Sequence, residues 1–393
     1  MSTKVTTVYV RLTFLRIGEI DTLNEKYQAQ ASVESRWIVD FEQLSTILSA
    51  DDQQSLIDGK SVSLPKYTDS HWHPQIYIEN ALGDLKEQIR YTAKKSREND
   101  QIYVCEHRDI KGLFWEKLEL QYFPADVQDL SISVASMLYD DRAILLPDHQ
   151  RNSGVNREAF VDQQEWSLFA HVDTEQRTTN EFNTQFTDED NDQAANVTER
   201  KHTIVTVTCH AARRSSYFYW NGYCLIFLIT LVSFTCYFIP LNSIAGRVQT
   251  TSTLLLTSIT FRWTVNRSLP TISYLTTLDI YGIACIFLLV INGIWHAACD
   301  TIANEFASNF KETPATWEPK IDRIAFYVTF GLFIFGNIFF IIWLFAVPLK
   351  LHRKMHEKDS LLNLLKWKDI SKKSEMNIEK SKSVGTYERI PID

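Results

Sequence analysis

Cysteine is scarce and poorly placed for a disulfide scaffold. The chain has six cysteines in 393 residues, and only Cys105 and Cys209 precede the first long apolar stretch. A disulfide-dense fold is therefore excluded. Cys105 and Cys209 are left as one pair or as two thiols, and free buried thiols are common. Excess positive charge is also absent. With 40 Lys and Arg against 48 Asp and Glu, and no basic stripe, nucleic acid is not expected as a partner. No nucleophile motif, phosphate loop or strong metal-ligand spacing occurs, so neither an enzyme nor a cofactor is expected. His71 and His73 stand at strand spacing, but two histidines seldom hold a metal alone, and no metal site is assigned. An apolar leader is missing as well. Met1 runs directly into residues 4–10, so an exported N-terminal half implies a mature or trimmed chain.

The first half lacks any long apolar run and shows alternation instead. Val8, Val10, Leu12 and Phe14 alternate with Tyr9, Arg11 and Thr13, the period of a half-buried strand. Val205, Val207 and Cys209 alternate with Thr206 and Thr208 in the same way. Turn signals separate such runs at Asp58-Gly59, Gly83-Asp84 and Asn152-Ser153-Gly154. This predicts an antiparallel, immunoglobulin-like β-sandwich of about ten strands. Residues 178–200 are polar and carry the acidic run Asp188 to Asp192. They read as a solvated loop or hairpin tip, with a cation-binding role as the alternative. Asn196-Val197-Thr198 is a glycosylation acceptor pattern.

The second half is built differently. Residues 217–240, 272–297 and 324–347 are apolar enough to cross a bilayer, which takes about 20 residues per helix. Residues 248–265 are helix-length but rich in hydroxyls. Within them and just beyond, Gln249, Thr253, Leu256, Thr260, Trp263 and Arg267 recur at intervals of three and four, which places all six on one helix face. Neither lipid nor a packed core selects an amide, two hydroxyls, a leucine, an indole and a guanidinium. Two readings remain. Several copies around an axis would line a pore, with polar rings replacing ion hydration and a leucine ring closing by dewetting. A single helix packed in a bundle would bond its hydroxyls to backbone carbonyls.

The order of short motifs resembles the Cys-loop, or pentameric ligand-gated ion channel, receptor family. Trp72-His73-Pro74 with Ile76 and Asn80 is similar to its W-x-P segment. Phe123-Pro124-Ala125-Asp126 with Gln128 is similar to its central turn. Glu165-Trp166, Arg213-Arg214, Asn221, Arg247-Val248, Leu269-Pro270, Ser273-Tyr274, Asp279-Ile280, Trp317 and Ile321-Asp322-Arg323 follow in family order. The resemblance covers residues 5–348. It implies a divergent member, of invertebrate type, without the signature disulfide.

That resemblance implies an extracellular sandwich over residues 1–212 and a transmembrane four-helix domain over 213–348. Its helices are expected near 217–240, 247–267, 272–297 and 323–347, with a short cytoplasmic loop at 298–320 and a charged tail at 349–393. It implies a homopentamer, or a hetero-assembly, around a central pore in the plasma membrane. A small-molecule agonist would bind between neighbouring sandwiches. Phe123, Pro124, Asp126, Arg213 and Pro270 would couple binding to gating, with Asp126 and Arg213 as an ion pair there.

Departures from the family pattern are specific. Its cysteines would fall at Glu116 and Leu130, so packing must hold the turn. Its aromatic box is depleted, with Ser32, Glu79 and Met137 at the matching positions. Glu79, Met137, Tyr139, Phe182 and Phe186 are the candidate ligand-binding residues. At the inner mouth, Gly246, preceded by Ala245, stands where cation-selective members carry a Glu before the basic residue, here Arg247, and Arg267 stands at the outer mouth. Positive rings there concentrate anions, so chloride selectivity is expected. A cation or poorly selective channel and a non-conducting accessory subunit are the alternatives, the last because Trp263 is bulky for a pore. The tail after Lys350 sets two rules against each other. Its lysines favour the cytoplasm, whereas four crossings return it to the extracellular side. An interfacial amphipathic helix is the expected form of its start.

Overall fold

The computed structural model describes residues 5–96, 100–180, 201–241, 243–267, 269, 272–310 and 314–364. The described residues of the first half form β1 (Thr6–Asp21), β2 (Lys26–Ile38), β3 (Val62–Ser63), β4 (Ile76–Ile78), β5 (Ala81–Lys95), β6 (Ile102–Trp115), β7 (Val127–Ser136), β8 (Ala143–Pro147), β9 (Gly154–Val155), β10 (Trp166–Asn180) and β11 (Lys201–Arg213). Two short helices, α1 (Phe41–Ser45) and α2 (Ala50–Ile57), follow β2. One sheet runs β3-β5-β6-β2-β1-β8, with β9 also on β1, and the other runs β10-β11-β7-β4.

Alternation in sequence becomes alternation in burial. Val8, Val10, Leu12 and Phe14 of β1 are wholly buried, as are Leu130, Ile132 and Val134 of β7 and Val205, Val207 and Cys209 of β11. Each such side chain contributes roughly 1.5–3 kcal/mol on leaving water. Trp37, Trp166, Tyr27 and Phe114 fill the space between the sheets. Cys105 lies on β6 and Cys209 on β11, in different sheets, and both are free thiols. Burial holds both protonated and pushes Cys105 up to about 12.

The helical half begins with α3 (Ser216–Phe218), a π-helical turn at Tyr219–Cys224, α4 (Leu225–Ser233) and a 3-10 turn at Phe234–Phe238. The first span is thus segmented rather than one uniform helix. It is followed by α5 (Ile244–Asn266), α6 (Thr277–Phe310) and α7 (Pro314–Ala346). The expected loop at 298–320 is corrected, because α6 and α7 occupy nearly all of it. No glycine or proline interrupts the chain between Gly293 and Pro314, and proline at the first helical position restarts a helix readily.

Among the described residues, three helices are long and apolar enough to cross a membrane: Ser216–Phe238, Thr277–Ile302 and Glu318–Leu364. The hydroxyl-rich α5 does not qualify on composition. In the last span only 6% of the most apolar window is buried, as suits a helix facing lipid.

Residues 348–364 are helical and run on from α7. This C-terminal helix is not a free interfacial segment. His352 Nε2 is 3.2 Å from the Ala125 carbonyl, Lys358 reaches Asp173 at 3.0 Å, and Asp359 accepts from the backbone N–H groups of Ala170 and His171. The register shift in β10 between Leu168 and Val172 breaks the ladder there, and Asp359 satisfies the N–H groups of the displaced segment. The tail therefore starts on the same side of the helices as the sandwich.

Candidate functional site: the α5 face and the joint above it

The face of α5 predicted from spacing is the exposed one. Gln249, Thr253, Leu256, Thr260, Trp263 and Arg267 are all exposed, Leu256 to 66%. Arg247, Thr251 and Ser258 are buried on the opposite face. The stripe hydroxyls are satisfied within the helix: Thr253 donates to the Gln249 carbonyl at 2.9 Å and Thr260 to the Leu256 carbonyl at 2.9 Å. No neighbouring helix of the chain is needed to accept them. At the outer end the Arg267 guanidinium lies 3.7 Å from the centre of the Trp263 ring, a cation–π contact that leaves the charge in place.

The inner end differs from the expected selectivity group. Ala245 is exposed and Gly246 partly so, but Arg247 is turned into the bundle. Its Nη1 and Nη2 donate to Asp322 Oδ1 and Oδ2, each at 3.0 Å, and further bonds reach the carbonyls of Tyr237 and Ile239. Trp295 Nε1 donates to the same carboxylate at 3.2 Å. Arg247 therefore anchors α5 to α7. As placed here, it presents no charge to the exposed face. An arginine fork needs a buried carboxylate when it leaves water, and Asp322 is separated from it by 75 residues.

Above the helices, the turn 119–128 meets the start of α6. Phe123, Pro124, Ala125 and Asp126 are buried. Arg213 Nε and Nη2 donate to Asp126 at 2.9 and 3.2 Å, and both side chains are buried. The guanidinium also lies over the rings of Phe123 and Trp166. Tyr274 Oη accepts from the Leu120 N–H at 3.0 Å, and Thr277 donates from both N and Oγ1 to the Gln121 carbonyl. Leu120, Phe123, Ile226, Leu269, Leu278 and Tyr281 form one apolar cluster across the joint. Pro270 lies outside the described residues.

Motif order placed most of this joint, but one feature escaped it. Glu116, at a position where the family would have cysteine, accepts from Ser131 N at 2.8 Å and Ser131 Oγ at 2.5 Å. The turn is held by a carboxylate clasp as well as by packing. Burial raises the Glu116 pKa, opposed by the two bonds from Ser131. A single serine, giving its backbone N–H and its hydroxyl to an acid 15 residues away, carries no signal that sequence reading could use.

The candidate ligand residues are only partly brought together. Glu79 is paired with Arg177 of β10. Met137 is 62% exposed, and Tyr139 packs on His202 with ring centres 4.6 Å apart. Ser32 is half-buried on β2. Phe182, Phe186 and the acceptor Asn196 lie outside the described residues. His71 bonds Ser70 Oγ and the Gln43 carbonyl and stacks on Tyr67, so it is a structural residue. A separate open cleft of about 830 Å³ is lined by Arg36, Lys94, Lys95, His107 and Arg151, and Arg36, Lys95 and Arg151 are paired there with Asp148, Asp100 and Glu34.

A helix with an exposed polar face thus lies among apolar spans, and the buried turn at Phe123–Asp126 joins these helices to the β-sandwich. The model of the neurotransmitter-gated ion-channel ligand binding domain matches residues 1–214, more than half of the chain, and the chain belongs to that family, one of ion channels rather than enzymes. It is 21% identical over 290 residues to a glutamate-gated chloride channel subunit beta of Haemonchus contortus, covering 71% of this chain and 60% of that protein. It is 22% identical over 226 residues to a gamma-aminobutyric acid receptor subunit beta of Caenorhabditis elegans, covering 56% of this chain and 37% of that one. The chain thus spans about three-fifths or less of the length of these curated relatives.

Proposed function

We propose that the chain is a subunit of a pentameric, agonist-gated, anion-selective channel of the plasma membrane, with the sandwich outside. The observation that carries this reading is the α5 face: six polar or gate-type residues in one exposed stripe, on the side of the helix away from its own bundle. Five copies around an axis make successive rings, with Leu256 as the apolar constriction. Arg267 supplies the positive outer ring, and the inner end offers no acid at Ala245 or Gly246. The relatives named above are a glutamate-gated chloride channel subunit and a gamma-aminobutyric acid receptor subunit, which supports an anion channel opened by a small amino acid. Glu79, already occupied by Arg177, is a poor ammonium partner.

A second reading rests on one contact. The Trp263 ring with Arg267 stacked on it adds bulk to the pore-side face, as a non-conducting accessory subunit would tolerate.

Leu256→Thr expressed in oocytes separates these readings. A current without agonist, reversing with external chloride, supports the anion channel. Reversal with sodium overturns the selectivity. Silence from protein labelled at the surface favours the accessory subunit.

A further inference from the structure

The bulge in β10 brings together side chains that neither the motif order nor the pore reading uses. His171 and Asp173 are two apart on β10 and share a face, and His210 lies on the neighbouring β11. One ligand-type atom from each lies within 4.8 Å of those of the other two. The imidazoles of His171 and His210 stack at 4.7 Å, and both are almost wholly buried.

The hydrogen bonds around them prepare specific nitrogens. His171 Nδ1 is 2.6 Å from Asp359 Oδ1, and His210 Nδ1 is 2.6 Å from Asp129 Oδ1. A carboxylate only accepts, so each Nδ1 carries a proton, and His171 Nε2 is left with its lone pair. His210 Nε2 donates to Asp173 Oδ2 at 3.2 Å, and a metal bound there takes the place of that proton, which is released. His171 Nε2 is buried with no hydrogen-bond partner at all, which is costly in a folded protein unless something binds there. Carboxylates on the far nitrogens of two histidines are the usual outer support of a metal-bound imidazole pair.

We propose that His171, Asp173 and His210 form a site for a divalent transition-metal cation, with two imidazole nitrogens and one carboxylate oxygen as ligands. Zinc suits this set, with water in a fourth, solvent-facing position. Ligand atoms around tetrahedral zinc stand roughly 3.3 Å apart, given bonds of about 2.0 Å. His210 Nε2 and Asp173 Oδ2 already have that spacing. Asp173, whose side chain is half exposed, is the ligand with room to adjust. Lys358 of the C-terminal helix now holds Asp173 at 3.0 Å. Its ammonium and the metal compete for one carboxylate, while Asp359 on the same helix steadies His171. The site therefore sits at the seam between the sandwich and the C-terminal helix, and metal binding resets one of the contacts that dock them.

The test is metal titration of the purified full chain in detergent, without a polyhistidine tag. Cobalt absorption reads ligand geometry, and zinc calorimetry reads stoichiometry. One ion per chain is expected, with tetrahedral-type cobalt bands. Asp173→Asn and His210→Gln weaken binding at least tenfold. Lys358→Met tightens it several-fold, and His71→Gln with His73→Gln leaves it unchanged. Asp173→Asn is the decisive variant, because its half-exposed side chain can be changed with the melting profile preserved. Absence of saturable binding at one ion per chain, or equal binding by wild type and Asp173→Asn, overturns the site.

Discussion

α5 and α7 each turn a long face away from the rest of the chain, and the two faces differ in chemistry. On α7 the exposed residues include Ile324, Val328, Leu332, Phe335, Ile338, Phe339 and Ile342. On α5 they include Gln249, Thr253 and Thr260, with Leu256 among them. Exposure alone does not say what each face meets. Hydrocarbon accepts the α7 face without cost and penalises uncompensated polar groups. Water or an aqueous pore suits the α5 stripe. On the proposed reading the bundle meets two solvents, and the Arg247–Asp322 pair fastens the two helices together.

Leu256→Thr bears directly on the α5 face. Losing apolar surface at roughly 25 cal/mol per Å² is worth on the order of 1 kcal/mol in each copy, and five copies make it the largest effect. The expected outcome is a standing open current. Breaking the fastening comes next. Asp322→Ala leaves Arg247 buried and unpaired, a loss of about 3–5 kcal/mol, read as loss of surface protein in a labelling assay. Arg247→Met with Asp322→Leu recovers much of it, since an apolar pair needs no partner charge. Asp126→Ala strands Arg213 in the same way at the joint.

One substitution made on both faces sharpens the contrast. Ile338→Lys on α7 is expected to cost roughly 2.5–3.5 kcal/mol of membrane insertion. Thr260→Lys on α5 costs little insertion and strengthens the positive field instead. Glycosylation-tag insertion assays give the ratio, and equal penalties would dissolve the distinction between lipid and water faces.

The smallest effect lies outside both helices. Glu116 has a pKa raised above its ordinary 4.5, so its protonated form is the one the fold favours. Its contribution to stability is fully present below that ordinary value and is lost as pH rises through the elevated one. Glu116→Gln should flatten this dependence in thermal melts of the full chain. Glu116→Ala removes both bonds to Ser131 and should lower stability by about 1–2 kcal/mol.

Residue spacing alone determined which six side chains of α5 share a face, because a helix has a fixed period. Strand alternation likewise announced the buried residues of β1 and β11, and ordered motifs announced the joint at Phe123–Asp126 and Arg213. These are local periodicities or short patterns that survive without knowledge of distant partners. Tertiary structure alone decided that Arg247 faces Asp322 rather than the pore, that Arg177 occupies Glu79, and that Glu116 clasps Ser131. It also returned residues 348–364 to the sandwich and set His171 against His210. Each of these depends on a partner that is not fixed by local period. A buried charge or a broken strand ladder takes whichever complementary group the fold brings near, and that choice becomes visible only when the chain is closed.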